Sequence, residues 1–299
     1  MILKNFDEVI NRVGKLPKRK RCAIVAADEA SITASLAAEE KGLATPVFIG
    51  ERRNIEVILE QLNAKKAYEI YDIPDSAEAA LLGVRLARNK DVDFIIKGHI
   101  ETSALLKAVV NKEEGLGIGK LMSHIAFNEI STYHKLLITT DGGMNLYPDV
   151  NQKQMIIENS VDILKKLGYD EPKIACLAAV EKVNPKMPES VDAEELKRRN
   201  QDGIIKGCII EGPISFDIAY CREAAKLKNY ESLIAGDADV LLVPNITVGN
   251  VLGKSLVYAA GGKMAGFVVG AQCPIILTSR SSTAEEKFLS TALASLIDQ

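Results

Sequence analysis

Short, nearly continuous apolar runs alternate along this chain with segments of helical periodicity, and this alternation constrains the fold most. The runs are CAIVAA (22–27), PVFIG (46–50), VDFIIKG (92–98), KLLITTD (135–141), KIACLAAV (173–180), CIIEGP (208–213), ADVLLVPN (238–245), GFVVG (266–270) and PIILTS (274–279). Runs without polar alternation are the pattern of parallel strands covered on both faces. Helices are predicted over 29–42, ending at Gly42; 76–90, with Ser76 as N-cap; 151–167, ending at Gly168; 192–200, from Asp192; and 282–297. Strands alternating with helices imply right-handed βαβ units and an α/β fold.

A chain of 299 residues can hold two domains with sizeable cores. The Gly-Gly turn after KLLITTD and the glycine-rich GGKMAGFVVGA suggest borders near those points. The domains expected are 1–140 plus 268–299, and 141–267. KRKR (18–21) reads as a solvated lead-in to the first strand.

Several function classes are disfavoured. A net charge of -3 gives no general attraction to nucleic acid or an anionic membrane. Trp is absent and aromatics are 5%, which argues against a base-stacking surface. Cys22, Cys176, Cys208, Cys221 and Cys273 form no C-x-x-C pair, and the three histidines form no H-x-x-x-H, so no metal site is expected. An odd cysteine count, and an opening MILKNFDEVINRV without an apolar stretch, point to a reducing, cytoplasmic setting. No apolar run is long enough to span a membrane.

Open α/β sheets bind ligands at the carboxyl ends of strands, where a following helix N-terminus suits phosphate. In PIILTSRSSTAEEK, Ser279 and Arg280 end a buried strand and Glu286 lies just inside the next helix. A guanidinium there can hold two phosphate oxygens, and the carboxylate can take a proton. The bland alternative is a capping box, Ser282-x-x-Glu285, with Arg280 in a surface ion pair. In ADVLLVPNITVGNVLGKSLVY, Gly249 and Gly253 enclose too few residues for a Walker loop. A helix opening near Gly249-Asn250, with Lys254 on the face of Asn250, could cradle an anion or be an ordinary turn with a solvated lysine. FIIKGHIETSALLKAV offers Lys97, His99, Thr102 and Lys107, and TTDGGMNLYPD offers Asp141, as ligand to a hydroxyl or as turn cap. No G-x-S-x-G elbow is present, so a Ser-His-Asp hydrolase is disfavoured.

The ordered set AADEASITASLAAEEKG, KGHIETSALLKAV, LMSHIAF, TTDGGMNLYPD, VNPKMPESVDAEEL, EGPISFDIA, AGDADVLLVPNITVGNVLGKSL and IILTSRSS resembles the phosphate acetyltransferase/phosphate butyryltransferase family over nearly the whole chain. Length and the KG-x-I-x-T and TDGGMN blocks resemble the butyryltransferase branch. The resemblance implies an isocitrate dehydrogenase-like fold of two α/β domains with a cleft between them. It also implies a homo-oligomer built from dimers, and no metal or cofactor apart from coenzyme A as substrate. The family's Ser-Arg pair falls on Ser279 and Arg280, and its proposed aspartate base on Glu286. A phosphate-binding arginine falls on Lys107, which keeps the charge but loses the bidentate fork. Lys97, Thr102, Ser123, Asp141, Asn250 and Lys254 are carried as further substrate-binding positions.

The reaction so implied is butanoyl-CoA + phosphate ⇌ butanoyl phosphate + CoA. Acetyl-CoA is the alternative acyl donor. An NAD-dependent decarboxylating dehydrogenase of the same architecture is a distant alternative, because it needs clustered aspartates and only Asp237 and Asp239 stand close. A non-catalytic binder of CoA or phosphate is a third reading.

Overall fold

The computed structural model describes residues 2–64, 66–278 and 282–297. In chain order the first elements are α1 (Phe6–Val13), β1 (Lys20–Val25), α2 (Glu29–Glu40), β2 (Ala44–Gly50), α3 (Arg52–Gln61), β3 (Glu69–Asp72), α4 (Ser76–Arg88), β4 (Phe94–Lys97) and α5 (Thr102–Val109). The next are β5 (Ser123–Glu129), β6 (Leu137–Thr140), α6 (Val150–Lys166), β7 (Lys173–Leu177), α7 (Pro188–Gln201), β8 (Ile209–Ile214), α8 (Phe216–Tyr220), α9 (Arg222–Leu227), β9 (Val240–Leu242) and α10 (Ile246–Tyr258). The last are β10 (Lys263–Val269), β11 (Ile275–Ile276) and α11 (Ala284–Ser295). The fold is mixed α/β. Among the described residues no helix is long and apolar enough to cross a membrane.

Two compact units form: a flanking unit, Asp7–Lys120 with Ala265–Gln299, and a middle unit, Met1–Phe6 with Leu121–Met264. The first border thus lies at 120/121, not after residue 140. Hydrogen bonding explains the difference: β5 pairs antiparallel with β6, and β6 pairs parallel with β9, which keeps residues 123–140 with the middle segment.

In the flanking unit the strand order is β3-β2-β1-β4-β11-β10. All pairs are parallel except β10 with β11, which meet antiparallel at Val268↔Ile275. Ile24, Phe48, Ile49, Phe94 and Ile95 of the central strands have no exposed surface. Each such side chain stabilises the fold by about 1.5–3 kcal/mol relative to exposure. In the middle unit the order is β5-β6-β9-β7-β8. One core joins Leu137, Ala175, Ile214, Ile218, Leu241 and Leu256 across its strands and helices.

Local signals set the helix ends. Asp75, not Ser76, caps α4, accepting from the backbone N–H groups of Ala77 and Glu78. Helix α7 begins four residues before Asp192, with Pro188 in its first turn, where a missing N–H costs nothing. Gly42 (φ 76°) and Gly168 (φ 89°) follow α2 and α6 in the left-handed conformation that ends a helix.

Candidate active site

In the flanking unit, β1, β4 and β11 run parallel, so their carboxyl ends share one edge. Lys97 ends β4 and is 7% exposed, with Nζ 3.4 Å from the Gly98 carbonyl. Past the strand, Gly98 and His99 donate to the carbonyls of Val25 and Ala26 at 2.8 and 2.7 Å. A Cβ on Gly98 would stand 2.2 Å from the Ala26 oxygen, so only glycine permits this approach. Asp28 and Ser31 close a reciprocal capping box at the start of α2 on the same edge.

The register Ile276↔Ile96 carries the end of β11 alongside Lys97. Thr278 is buried there, and its hydroxyl accepts from Lys287 Nζ at 2.8 Å. Ser279 and Arg280 lie outside the described residues. Helix α11 follows, and its N-cap is Thr283, whose Oγ1 accepts from the Glu286 N–H at 3.1 Å. The N-cap therefore lies one residue later than the alternative Ser282-x-x-Glu285 box places it, with a single capping bond. Ser282 instead hydrogen-bonds the Glu286 side chain. Glu286 is half-buried. Burial pushes its carboxyl above the ordinary glutamate range, against the opposing pull of Ser282 and the Lys287 charge. A carboxyl so placed holds a proton more readily than a solvated one.

Thr102 opens α5 and is exposed, and its N-cap, Glu101, makes no capping bond. Lys107 sits in the last turn of that helix, exposed. Five residues of helix turn it well away from the face of Thr102. Lys97, Thr102, Thr278 and Glu286 thus gather at one edge of the flanking sheet, while Lys107 lies at the far end of α5.

The middle unit holds the other predicted positions, and the structure gives several of them structural duties. Asp141 is 2% exposed, and its two oxygens accept from the N–H groups of Gly143, Met144 and Asn145 and from Asn145 Nδ2. These donors fill the acceptor capacity of a carboxylate, so Asp141 builds the Gly-Gly turn and does not reach a ligand hydroxyl. Ser123 has no exposed surface, and its hydroxyl accepts from Asn159 Nδ2 at 3.0 Å. Both side chains thus bond to neighbours within the middle unit.

Helix α10 opens at Ile246, earlier than the expected Gly249-Asn250 start, because Asn245 caps it through the Val248 N–H. The Ile246 N–H goes to the Leu146 carbonyl and that of Gly249 to Asn245. Asn250 and Lys254 stand exposed on one face beyond this turn, so they form no N-terminal anion cradle. Gly249 meets the Asp141–Gly142 backbone directly: a Cβ there would be 2.6 Å from Gly142 Cα.

His124 went unremarked in the sequence. Its ring lies against Gly143, at 3.1 Å from where a Cβ would stand. Burial lowers its imidazole below the ordinary range, opposed by the Asp141 charge. LMSHIAF contains the residue, but the pattern gives no sign that a histidine inside a strand would face a glycine turn.

Residues 61–295 match the family described as phosphate acetyl/butaryl transferase. The chain is 39% identical over 295 residues to the phosphate butyryltransferase of Clostridium beijerinckii, covering 98% of each chain. It is 38% identical over 281 residues to the phosphate acetyltransferase of Thermotoga maritima, covering 93% of this chain and 95% of that one. A branched-chain phosphotransacylase from Enterococcus faecalis V583 superposes with a TM-score of 0.83 at 33% identity, covering 93% of this chain and 99% of that one.

Proposed function

The chain belongs to the phosphate acetyl/butaryl transferase family, and from that premise we propose that it exchanges an acyl group between coenzyme A and inorganic phosphate, with butanoyl-CoA as preferred donor. Phosphate oxygen attacks the thioester carbonyl, and the tetrahedral intermediate collapses with loss of the C–S bond. The phosphate proton ends on the CoA sulfur. Glu286 relays it, accepting from phosphate in this direction and from the thiol in reverse. Ser279 donates to the oxyanion and Arg280 holds phosphate, roles that rest on the family resemblance; the resemblance pairs Arg280 with Lys107 or Lys254, and Lys97, at the same sheet edge as β11, is the further cation proposed here. The interdomain cleft, an oligomer of dimers and a cytoplasmic setting belong to the same proposal.

The observation that carries this reading is Glu286: a carboxyl raised by burial, at the first turn of a helix that directly follows the strand leading to Ser279 and Arg280. A reaction that passes a proton between a phosphate and a thiol gains from an acceptor shifted toward neutrality. The dehydrogenase alternative is weakened by its aspartates. Asp239 pairs with buried Lys135 at 2.5 Å, and Asp237 pairs with Lys135, Lys173 and His134, so both carboxylates are already engaged.

The decisive experiment follows thiol release with butanoyl-CoA plus phosphate against acetyl-CoA plus phosphate. Higher kcat/KM for butanoyl-CoA supports the proposal, and higher kcat/KM for acetyl-CoA moves the chain to the acetyl alternative. Release that does not require phosphate would overturn the reaction class.

A further inference from the structure

We propose that the amino edge of the flanking unit's sheet is a binding site for a polyphosphate-bearing small molecule, built by Lys18, Arg19, Lys41 and Arg21 around two adjoining cavities. The KRKR run is not merely a solvated lead-in. Strand β1 begins at Lys20, inside the run, and Lys18 and Arg19 precede it outside any helix or strand. A cavity of about 380 Å³ is lined by Lys18, Arg19, Arg21 and Lys66, with Pro46, Val47 and Tyr68 as its apolar wall. A second cavity, about 170 Å³, shares Lys18 and Arg19 and adds Lys41 over a floor of Val13 and Leu43.

Charge accounting points to an anion. Three acids nearby are engaged: Glu69 holds Arg21 at 2.5 Å, Asp93 holds Lys20 at 3.4 Å, and Glu39 binds Lys66 and the Tyr68 hydroxyl. Among the described residues, no hydrogen bond or ion pair is made by the side chains of Lys18, Arg19 or Lys41. The end of α2 offers only about half a negative charge to them. Gly42 lets the Arg19 guanidinium lie over that helix end, 3.3 Å from where a Cβ would be. Three like charges facing joined cavities repel one another, and a multivalent anion relieves that repulsion.

A second observation is independent of the first. Arg21 Nε is buried with no acceptor, although the same guanidinium ion-pairs with Glu69 at its other end. A buried donor without a partner is costly, and because Arg21 lines the larger cavity, a rotation of its side chain toward a ligand oxygen there would supply that partner. The several charges of linked phosphates match three cations shared between two cavities better than a single orthophosphate does. Tyr68, with Lys66 Nζ 5.3 Å from its ring centre, offers a wall for an attached planar group. This edge lies away from Lys97: Arg21 pairs with Thr45 at one end of β1, and Val25 pairs with Lys97 at the other. Four strand residues separate them by about 13 Å.

The test is calorimetric titration of the full chain with pyrophosphate, ADP and orthophosphate at low salt, and it does not depend on the proposed acyl transfer. The expected result is that pyrophosphate and ADP each bind at least ten-fold tighter than orthophosphate. In a Lys97→Met background, which removes a phosphate-holding cation from the proposed active site, the exposed triple variant Lys18→Ser/Arg19→Ser/Lys41→Ser should weaken both at least ten-fold, and Arg19→Ser alone less. Tighter ADP than pyrophosphate adds the planar group to what the cavity reads; equal affinity assigns recognition to phosphate alone. No binding by either in the Lys97→Met background, or affinity there unchanged by the triple variant, would overturn the proposal. So would binding of a short RNA in preference to both.

Discussion

Lys287 donates to the Thr278 hydroxyl at 2.8 Å, tying the first turn of α11 back to the last described residue before Ser279. Both side chains are buried, so water competes little for the bond. A charge-assisted hydrogen bond of this kind contributes about 1.5–3 kcal/mol. Lys287→Met should lower kcat at least ten-fold, with KM for acyl-CoA changed less, and Lys287→Arg should recover part of the loss. A double-mutant cycle with Thr278→Val reads the coupling. Additive effects on kcat would show that this tie does not position the neighbouring segment.

Glu286 should control the acid limb of the reverse reaction, acyl phosphate plus CoA. Its carboxyl is raised above the ordinary range, so the rate should fall with decreasing pH at a value above about 4.3, the usual glutamate pKa. Glu286→Gln should remove that limb and lower kcat by about 10²–10⁴-fold. The sign for stability is opposite. A carboxyl with a raised folded pKa stabilises the fold below its unfolded value, and that contribution is lost as pH rises through the folded value. Glu286→Gln should therefore be at least as stable as the parent at pH 7 in urea titration, while being far less active.

Gly249 should resist substitution. Alanine there would place Cβ 2.6 Å from Gly142 Cα and 3.0 Å from the Asp141 carbonyl oxygen, both backbone atoms. Alanine ordinarily favours a helix over glycine by about 1 kcal/mol. Overpacking against backbone costs about 1–3 kcal/mol and should win. A urea midpoint for Gly249→Ala at or above the parent's would show that the turn and α10 can part without loss.

Lys135 should be a stability residue and not a catalytic one. Its ammonium and the Asp239 carboxylate are each 3% exposed and 2.5 Å apart. Lys135→Met leaves Asp239 buried without its cation, at a cost of about 3–5 kcal/mol. Asp237 adds a pH dependence: burial raises its carboxyl, but hydrogen bonds from Lys173, Lys135 and His134 hold it below the ordinary range. A depressed carboxyl stabilises above its unfolded pKa and loses that contribution as pH falls below about 4. Chemical denaturation of Asp237→Asn should show a shallower loss between neutral pH and pH 3 than the parent.

The fold class was legible because parallel strands buried on both faces must be written as apolar runs. β1, β2, β4, β7 and β9 are such runs, and each was found within a few residues. Two strands broke the pattern and were missed. β3 (EIYD) lies at the edge, half exposed, and needs no apolar run. β5 (SHIAFNE) buries Asn128, whose amide nitrogen donates to the Leu137 carbonyl and the Thr139 hydroxyl, partners that exist only once β6 lies alongside. The same pairing moved the domain border from 140 to 120.

Sequence alone determined which side chains could do chemistry at strand ends: lysines, an arginine, a glutamate and a glycine-rich turn at βα junctions. Tertiary structure decided which of them are spent on the fold. Asp141 and Ser123 have their hydrogen-bonding capacity used by neighbours distant or local in the chain, whereas Glu286 is left half-buried with its proton affinity raised. A residue's type sets what bonds it can make, but the burial and partners that shift its proton and fill its acceptors come from segments brought together only by folding.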